Sequence, residues 1–295
     1  MNRFIYIMSF SCLLILAVVC FVLPYTPLFT GEVEEVVYIL TDDGEMLFPP
    51  FPPSSEYWFG TDESGRDLLQ QLVQFGQNTI GIVFLIVFLR FIFSLPLGYL
   101  TKNKSGFTYW MMEKLHHYLS GLPVLLFIIL FMNLPFIEAS SNRTIWVVLF
   151  IVLLEVGRLS YLFSDELNSL YKKSFYEASK MTGSRFPYRF IKYDLRHFGP
   201  SLGVLFVLEL SRVMILLGQM GFLSMFISQQ WFTMEAGPLT IQNRFGTWPT
   251  LLADTRQFIR EDFWIPLSPV LAITFAIITF QLCAESIKRY FQQSP

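Results

Sequence analysis

The 295-residue chain reads as an all-α polytopic membrane protein with six transmembrane helices and a small extracellular loop subdomain. Three observations predict this. The chain is 53% hydrophobic and only 15% charged, with a mean hydropathy of +0.49, where soluble domains carry about 25% charged residues. It contains six apolar runs, each close to the ~20 residues that a bilayer crossing needs. Its basic residues gather on one set of the loops between those runs, as they do on the cytoplasmic side of membrane proteins.

The runs are Phe4 to Leu23, Thr79 to Leu100, Tyr118 to Ile137, Thr144 to Phe163, Leu202 to Phe226 and Phe263 to Ala284. The first is expected to be an uncleaved span, because Arg3 is its only basic flank and Leu23-Pro24-Tyr25 is no small-residue cleavage site. A lipid-modified Cys20 is disfavoured by the bulk of Val18 and Val19 before it. With the N-terminus inside, segments 101–117, 164–201 and 285–295 are cytoplasmic and hold twelve basic residues, against five on the opposite loops. Both termini are therefore expected on the cytoplasmic side of the membrane.

Residues 1–295 are read as a single transmembrane domain, with two loops too long to be connectors. The external segment 24–78 starts with Val/Ile/Leu alternation, turns at Asp42-Asp43-Gly44 and passes through Pro49-Pro50-Phe51-Pro52-Pro53. This predicts a hairpin followed by a stiff extended stretch. The internal segment 164–199 is basic and amphipathic, with Gly183-Ser184 as a break between two short helices. It is the expected contact for a soluble partner.

Composition also excludes functions. A net charge of -2 gives no basic footprint for nucleic acid. Cys12, Cys20 and Cys283 all lie in apolar stretches, so neither a disulfide framework nor a zinc site is expected. Adjacent His116 and His117 point to different sides of a helix and do not make a metal pair with His197. The sequence carries no phosphate-binding loop, no His-Glu-x-x-His and no Gly-x-Ser-x-Gly. The chain is therefore expected not to be an enzyme and to use no cofactor of its own.

Two segments carry sharper signals. Glu177-Ala178-Ser179-Lys180-Met181-Thr182-Gly183, followed by Arg185, joins a charged contact, small residues that allow close helix approach, and a glycine that lets the chain reverse. The second is Gly60-Thr61-Asp62-Glu63-Ser64-Gly65-Arg66-Asp67-Leu68-Leu69, ahead of the second run, where Gly60-Thr61-Asp62 reads as a turn with a helix cap. Asp67 is placed to pair with Arg66 or with a neighbouring subunit.

The first segment resembles the Glu-Ala-Ala-x-x-x-Gly coupling loop of permease subunits of ATP-binding-cassette (ABC) importers. The second resembles the Gly-Thr-Asp-x-x-Gly-Arg-Asp segment of the oligopeptide, dipeptide and nickel permease family. Weaker echoes at Pro123, Phe222-Leu223, Trp248, Leu251-Leu252, Pro269 and Glu285 extend the likeness over nearly the whole chain. Departures mark it as divergent: Leu195-Arg196-His197 replaces Leu-Pro-Asn, Lys114 and His117 stand for Arg and Asp, and Leu217 to Ser224 departs from the usual fifth-span segment. The resemblance implies a type I ABC importer permease fold and a 176–192 loop that seats on a cytoplasmic ATPase. It also implies four kinds of partner: a second homologous permease, two ABC ATPase subunits, an extracellular solute-binding lipoprotein, and the membrane lipid around them. Peptides are the implied cargo, with nickel or another metal chelate as the alternative. A permease-like protein with a regulatory or interaction role is a further reading.

Charged residues inside the runs complete the picture. Arg90 lies mid-span, while Glu155 with Arg158 and Glu209 with Arg212 are spaced i, i+3. Each charge at the bilayer centre costs roughly 2.5–3.5 kcal/mol on insertion scales, so all must face protein or water. Arg90, Glu209 and Arg212 are read as lining or gating a polar path for a zwitterionic cargo. The plainer alternative has each pair neutralise itself within its own helix, with Glu155 and Arg158 near the cytoplasmic interface. A secondary transporter would be expected to show paired internal repeats, and none is visible.

Overall fold

A computed structural model describes residues 2–40, 46–174, 195–233, 239–243, 245–253 and 258–293. Its main elements are α1 (Asn2–Phe21), α2 (Leu68–Leu100), α3 (Phe107–Ser120), α4 (Val124–Met132), α5 (Pro135–Glu138), α6 (Arg143–Tyr171), α7 (Leu195–Phe222) and α8 (Trp264–Gln293). Two short antiparallel hairpins accompany them: β1 (Ile39–Leu40) with β2 (Met46–Leu47), and β3 (Gln229–Thr233) with β4 (Leu239–Asn243). The protein is a multi-pass, overwhelmingly helical membrane protein.

Five helices among the described residues are long and apolar enough to cross a bilayer: α1, α2, α6, α7 and α8. In place of the third expected span, Tyr118 to Ile137, the chain passes through the end of α3, the nine-residue α4 and the single turn α5, and the first break lies at Pro123. Pro123 supplies the reason. It is the extended N-cap of α4, with φ -63° and ψ 119°. A proline has no N–H to continue α3 and disfavours helical geometry in the residue before it. Pro96, Pro200 and Pro269, by contrast, sit within helices that continue past them.

The helices also outrun the apolar runs. α2 starts eleven residues before Thr79, because Asp67 caps it and its first turns carry Gln70, Gln71 and Gln74. Gln74 Nε2 donates to the carbonyls of Phe29 and Gly31, both at 2.8 Å, which lays the chain after α1 along α2.

α2 is the centre of the bundle. Its buried stripe of Thr79, Val83, Ile86, Val87, Arg90 and Ser94 recurs at helical spacing. It packs along α6, where Gly98 permits contact: a Cβ there would lie 2.6 Å from Phe163 Cβ and 2.9 Å from the Ser160 carbonyl. Ser94 Oγ donates to the Val156 carbonyl at 3.3 Å and Ser164 Oγ to the Thr101 carbonyl at 2.7 Å, fastening the same two helices. Small polar residues serve likewise between α1 and α8, where Ser286 and Ser9 hydroxyls lie 2.7 Å apart. Such contacts replace the hydrophobic drive that is missing between helices in lipid.

The β3–β4 hairpin and the 3-10 turn Trp248–Leu252 lie between α7 and α8, a stretch without strands in the sequence reading. The turn is anchored by Trp248, fully buried, whose N–H donates to Thr79 Oγ1 at 2.9 Å and whose Nε1 donates to the Leu72 carbonyl at 2.7 Å.

A midplane charge cluster and the candidate transport path

Arg90, Glu155, Arg158, Glu209 and Arg212 form one cluster at the junction of α2, α6 and α7. Glu209 is its hub. Its Oε2 accepts from Arg90 Nη1 at 3.1 Å, while its Oε1 accepts from Arg158 Nη2 at 2.6 Å and from Arg212 Nη1 at 3.3 Å. Arg158 also pairs with Glu155, one helical turn away. Arg90 Nη2 adds a bond to the Ile151 carbonyl at 3.1 Å, so this single guanidinium ties α2 to both α6 and α7. Phe91 fastens the same junction, with its ring edge-on to Phe163 at 5.2 Å and to Phe206 at 5.1 Å.

Burial divides the cluster. The side chains of Arg90 and Glu209 are 2% and 1% exposed, those of Arg158 and Glu155 16% and 14%, and that of Arg212 54%. Arg90 and Glu209, both taken from the sequence as path residues, are thus sealed in protein. Arg212 alone opens outward. Both i, i+3 pairs form, Glu155 with Arg158 and Glu209 with Arg212, and the Arg158–Glu209 contact joins them into one network. The site residue missed in the sequence is Arg158, which bridges the two carboxylates. Its signal was present, since an ion pair inside an apolar run must find protein partners.

Three guanidiniums meet two carboxylates, which leaves one positive charge in excess. The most loosely held cation is Arg212, at the longest of the ion-pair distances and on an oxygen already occupied by Arg158. Between Ser201 and Phe222 the exposed positions are Arg212, Ile215, Gln219 and Phe222, one face of α7 at i, i+3, i+7 and i+10. That face borders a groove of about 420 Å³ shared with α4 and α8.

On the side of α2's first turns, the Gly60 to Asp67 segment is a built turn. Asp62 Oδ1 accepts from the backbone N–H groups of Ser64 and Arg66, both at 2.9 Å, and Oδ2 accepts from Gln71 Nε2, also at 2.9 Å. Thr61 is fully buried and its Oγ1 accepts from the Phe51 N–H at 2.8 Å. The helix cap is Asp67, accepting from the Leu69 N–H at 2.8 Å, and not the Gly60-Thr61-Asp62 turn itself. Burial pushes the Asp67 carboxyl above the usual carboxylate range, offset in part by the Leu69 and Gln70 N–H groups. Arg66 pairs with Glu35 rather than Asp67. Gly60 and Gly65 both take φ +75°. A Cβ on Gly65 would strike the Val36 carbonyl, so this glycine sets the close approach of the chain at residue 36.

The expected coupling residues Glu177, Ala178, Ser179, Gly183 and Arg185 lie outside the described residues. Among the described residues no group of three or more His, Cys, Asp or Glu side chains could hold a metal.

Helices long and apolar enough to cross a bilayer thus enclose a charge cluster and expose one of its members on a face of α7. No family model matches the chain. Known permeases do. It is 22% identical over 236 residues to the dipeptide transport system permease protein DppC of Alkalihalophilus pseudofirmus, covering 80% of this chain and 71% of that one. It is 21% identical over 237 residues to the probable D,D-dipeptide transport system permease protein DdpC of Escherichia coli, covering 80% and 73%. An 83-residue stretch is 32% identical to DppC of Bacillus subtilis, covering 28% and 26%. At this low identity over four fifths of its length, the chain is similar to DppC-like permeases as a divergent relative.

Proposed function

We propose that the chain is a permease subunit of an ABC transporter that imports peptides, working with a second permease, two cytoplasmic ATPases and an external binding protein. The relatives' dipeptide-transport names support the cargo class. The observation that carries the reading is the half-exposed Arg212 near the middle of the Phe198–Phe222 span. A guanidinium at that depth is not left against lipid. The face of α7 that bears it therefore turns toward a second membrane subunit and a polar path between the two.

In this reading Arg90, Glu155, Arg158 and Glu209 are the frame and Arg212 is the lining group. ATP binding closes the ATPase pair, the 176–192 loop moves with it, and the helices exchange inward-open and outward-open arrangements. Both termini and the basic segments 101–117, 164–201 and 285–295 face the cytoplasm. The cofactors of the cycle, ATP and Mg, reside on the partners.

Affinity purification of the tagged chain in mild detergent, followed by mass spectrometry, tests the assembly. ATPase subunits should co-purify with the native chain and be lost with the Glu177→Arg, Gly183→Pro double variant. Recovery without any ATPase in both forms overturns the reading.

A further inference from the structure

We infer that Arg212 is a carboxylate-recognition point, so that the cargo passes this subunit as an anion-bearing molecule with its free carboxylate on the α7 face. The inference rests on the permease reading above and adds the chemistry of the contact.

Three observations carry it. The cluster has one guanidinium more than it has carboxylates, and the surplus is located: Arg90 and Arg158 are enclosed and multiply bonded, whereas within the cluster Arg212 reaches Glu209 Oε1 alone, at 3.3 Å. Arg212 is also the exposed member, with its fork of donors turned to the face that α7 leaves uncovered. One turn further along that face, from Ile215 onward, is space of about 420 Å³, lined by Leu125, Ile215, Phe222, Ile273, Ile277 and Gln219 among others.

The chemistry of that surface is specific. A guanidinium fork fits a carboxylate through two parallel N–H···O bonds, in a geometry that an amide cannot match with equal charge. The pairing competes only with the long Arg212–Glu209 contact, on an oxygen that Arg158 already occupies. The apolar wall that starts one turn from Arg212, at Ile215, accepts the side chain of the residue that bears the carboxylate, and Gln219, two turns along, offers an amide to a peptide group. A short peptide with a free C-terminus meets all three requirements. A bare metal cation meets none, since the free charge of the site is positive.

The test uses the whole transporter in proteoliposomes and two labelled probes, Ala-Ala and its C-terminal amide, with native chain, Arg212→Gln and Arg212→Lys. Each uptake rate is normalised to reconstituted complex. The external binding protein is the same in every arm, so a change in the acid-to-amide ratio between variants belongs to this subunit, by the logic of a double-mutant cycle. The expected result is a fall in that ratio of roughly tenfold in Arg212→Gln, the scale of one charge-assisted pair. Arg212→Lys should keep part of the preference, because it retains the charge and loses the fork. Equal loss of both probes in Arg212→Gln, or an unchanged ratio, overturns the carboxylate role while leaving peptide import standing. A native transporter that moves neither probe removes the import reading, and this inference with it.

Discussion

Arg90 and Glu209, 119 residues apart in the chain, meet Nη1 to Oε2 at 3.1 Å in the interior of the helix bundle, with almost no exposure of either side chain. Breaking a buried pair by removing one partner leaves an uncompensated charge, at a cost of about 3–5 kcal/mol. Glu209→Gln should therefore sharply lower the thermal unfolding midpoint in detergent. It strips the hub from three guanidiniums at once. Pairing it with Arg90→Met should cost less than the sum of the two single changes, which a double-mutant cycle on unfolding free energy reads directly.

Arg212 belongs to the same cluster and should behave oppositely. Its bond to Glu209 is long and the side chain is half exposed, so Arg212→Leu is expected to shift the unfolding midpoint little. Transport should fall at least tenfold with protein level held constant, a scale that corresponds to about 1.4 kcal/mol. Differential scanning fluorimetry beside an uptake assay separates the two effects.

Gly98 lies at a close approach of α2 and α6. A Cβ there meets both the Phe163 side chain and the Ser160 backbone, which cannot yield as a flexible side chain tip would. Gly98→Val should destabilise by about 1–3 kcal/mol, the usual penalty of overpacking. Crosslinking between cysteines placed on the two helices should report their separation.

Gly65 controls a different region. With φ at +75° and the Val36 carbonyl in the position of a Cβ, Gly65→Ala should release the extended segment around residues 35 and 36 and with it the Glu35–Arg66 pair. Limited proteolysis between residues 31 and 40 should accelerate, while the unfolding midpoint of the helices stays near that of the native chain.

Much of this was legible in the sequence, and the exceptions have physical causes. The long apolar helices could be located because a bilayer demands runs of fixed length. The break at Pro123 could not be weighed against the hydrophobicity of its neighbours, which alone favour one continuous span. Charged positions 90, 155, 158, 209 and 212 were visible one by one, since each is costly in lipid. Their union was not, because i, i+3 spacing speaks only of pairs within a helix, whereas Arg158 and Glu209 meet across α6 and α7. The Gly60 to Asp67 segment was recognisable from its residues. Its partners were not, for Arg66 reaches back to Glu35 through a loop whose path local spacing does not encode.

The most direct measurement is uptake of a labelled dipeptide by the purified, reconstituted transporter, with and without ATP on the ATPase side and with no ion gradient across the membrane. The account predicts accumulation that depends on ATP and on the external binding protein, and that is abolished by the Glu177→Arg, Gly183→Pro double variant. Accumulation without ATP, driven instead by an imposed proton or sodium gradient, would contradict it and identify a secondary transporter.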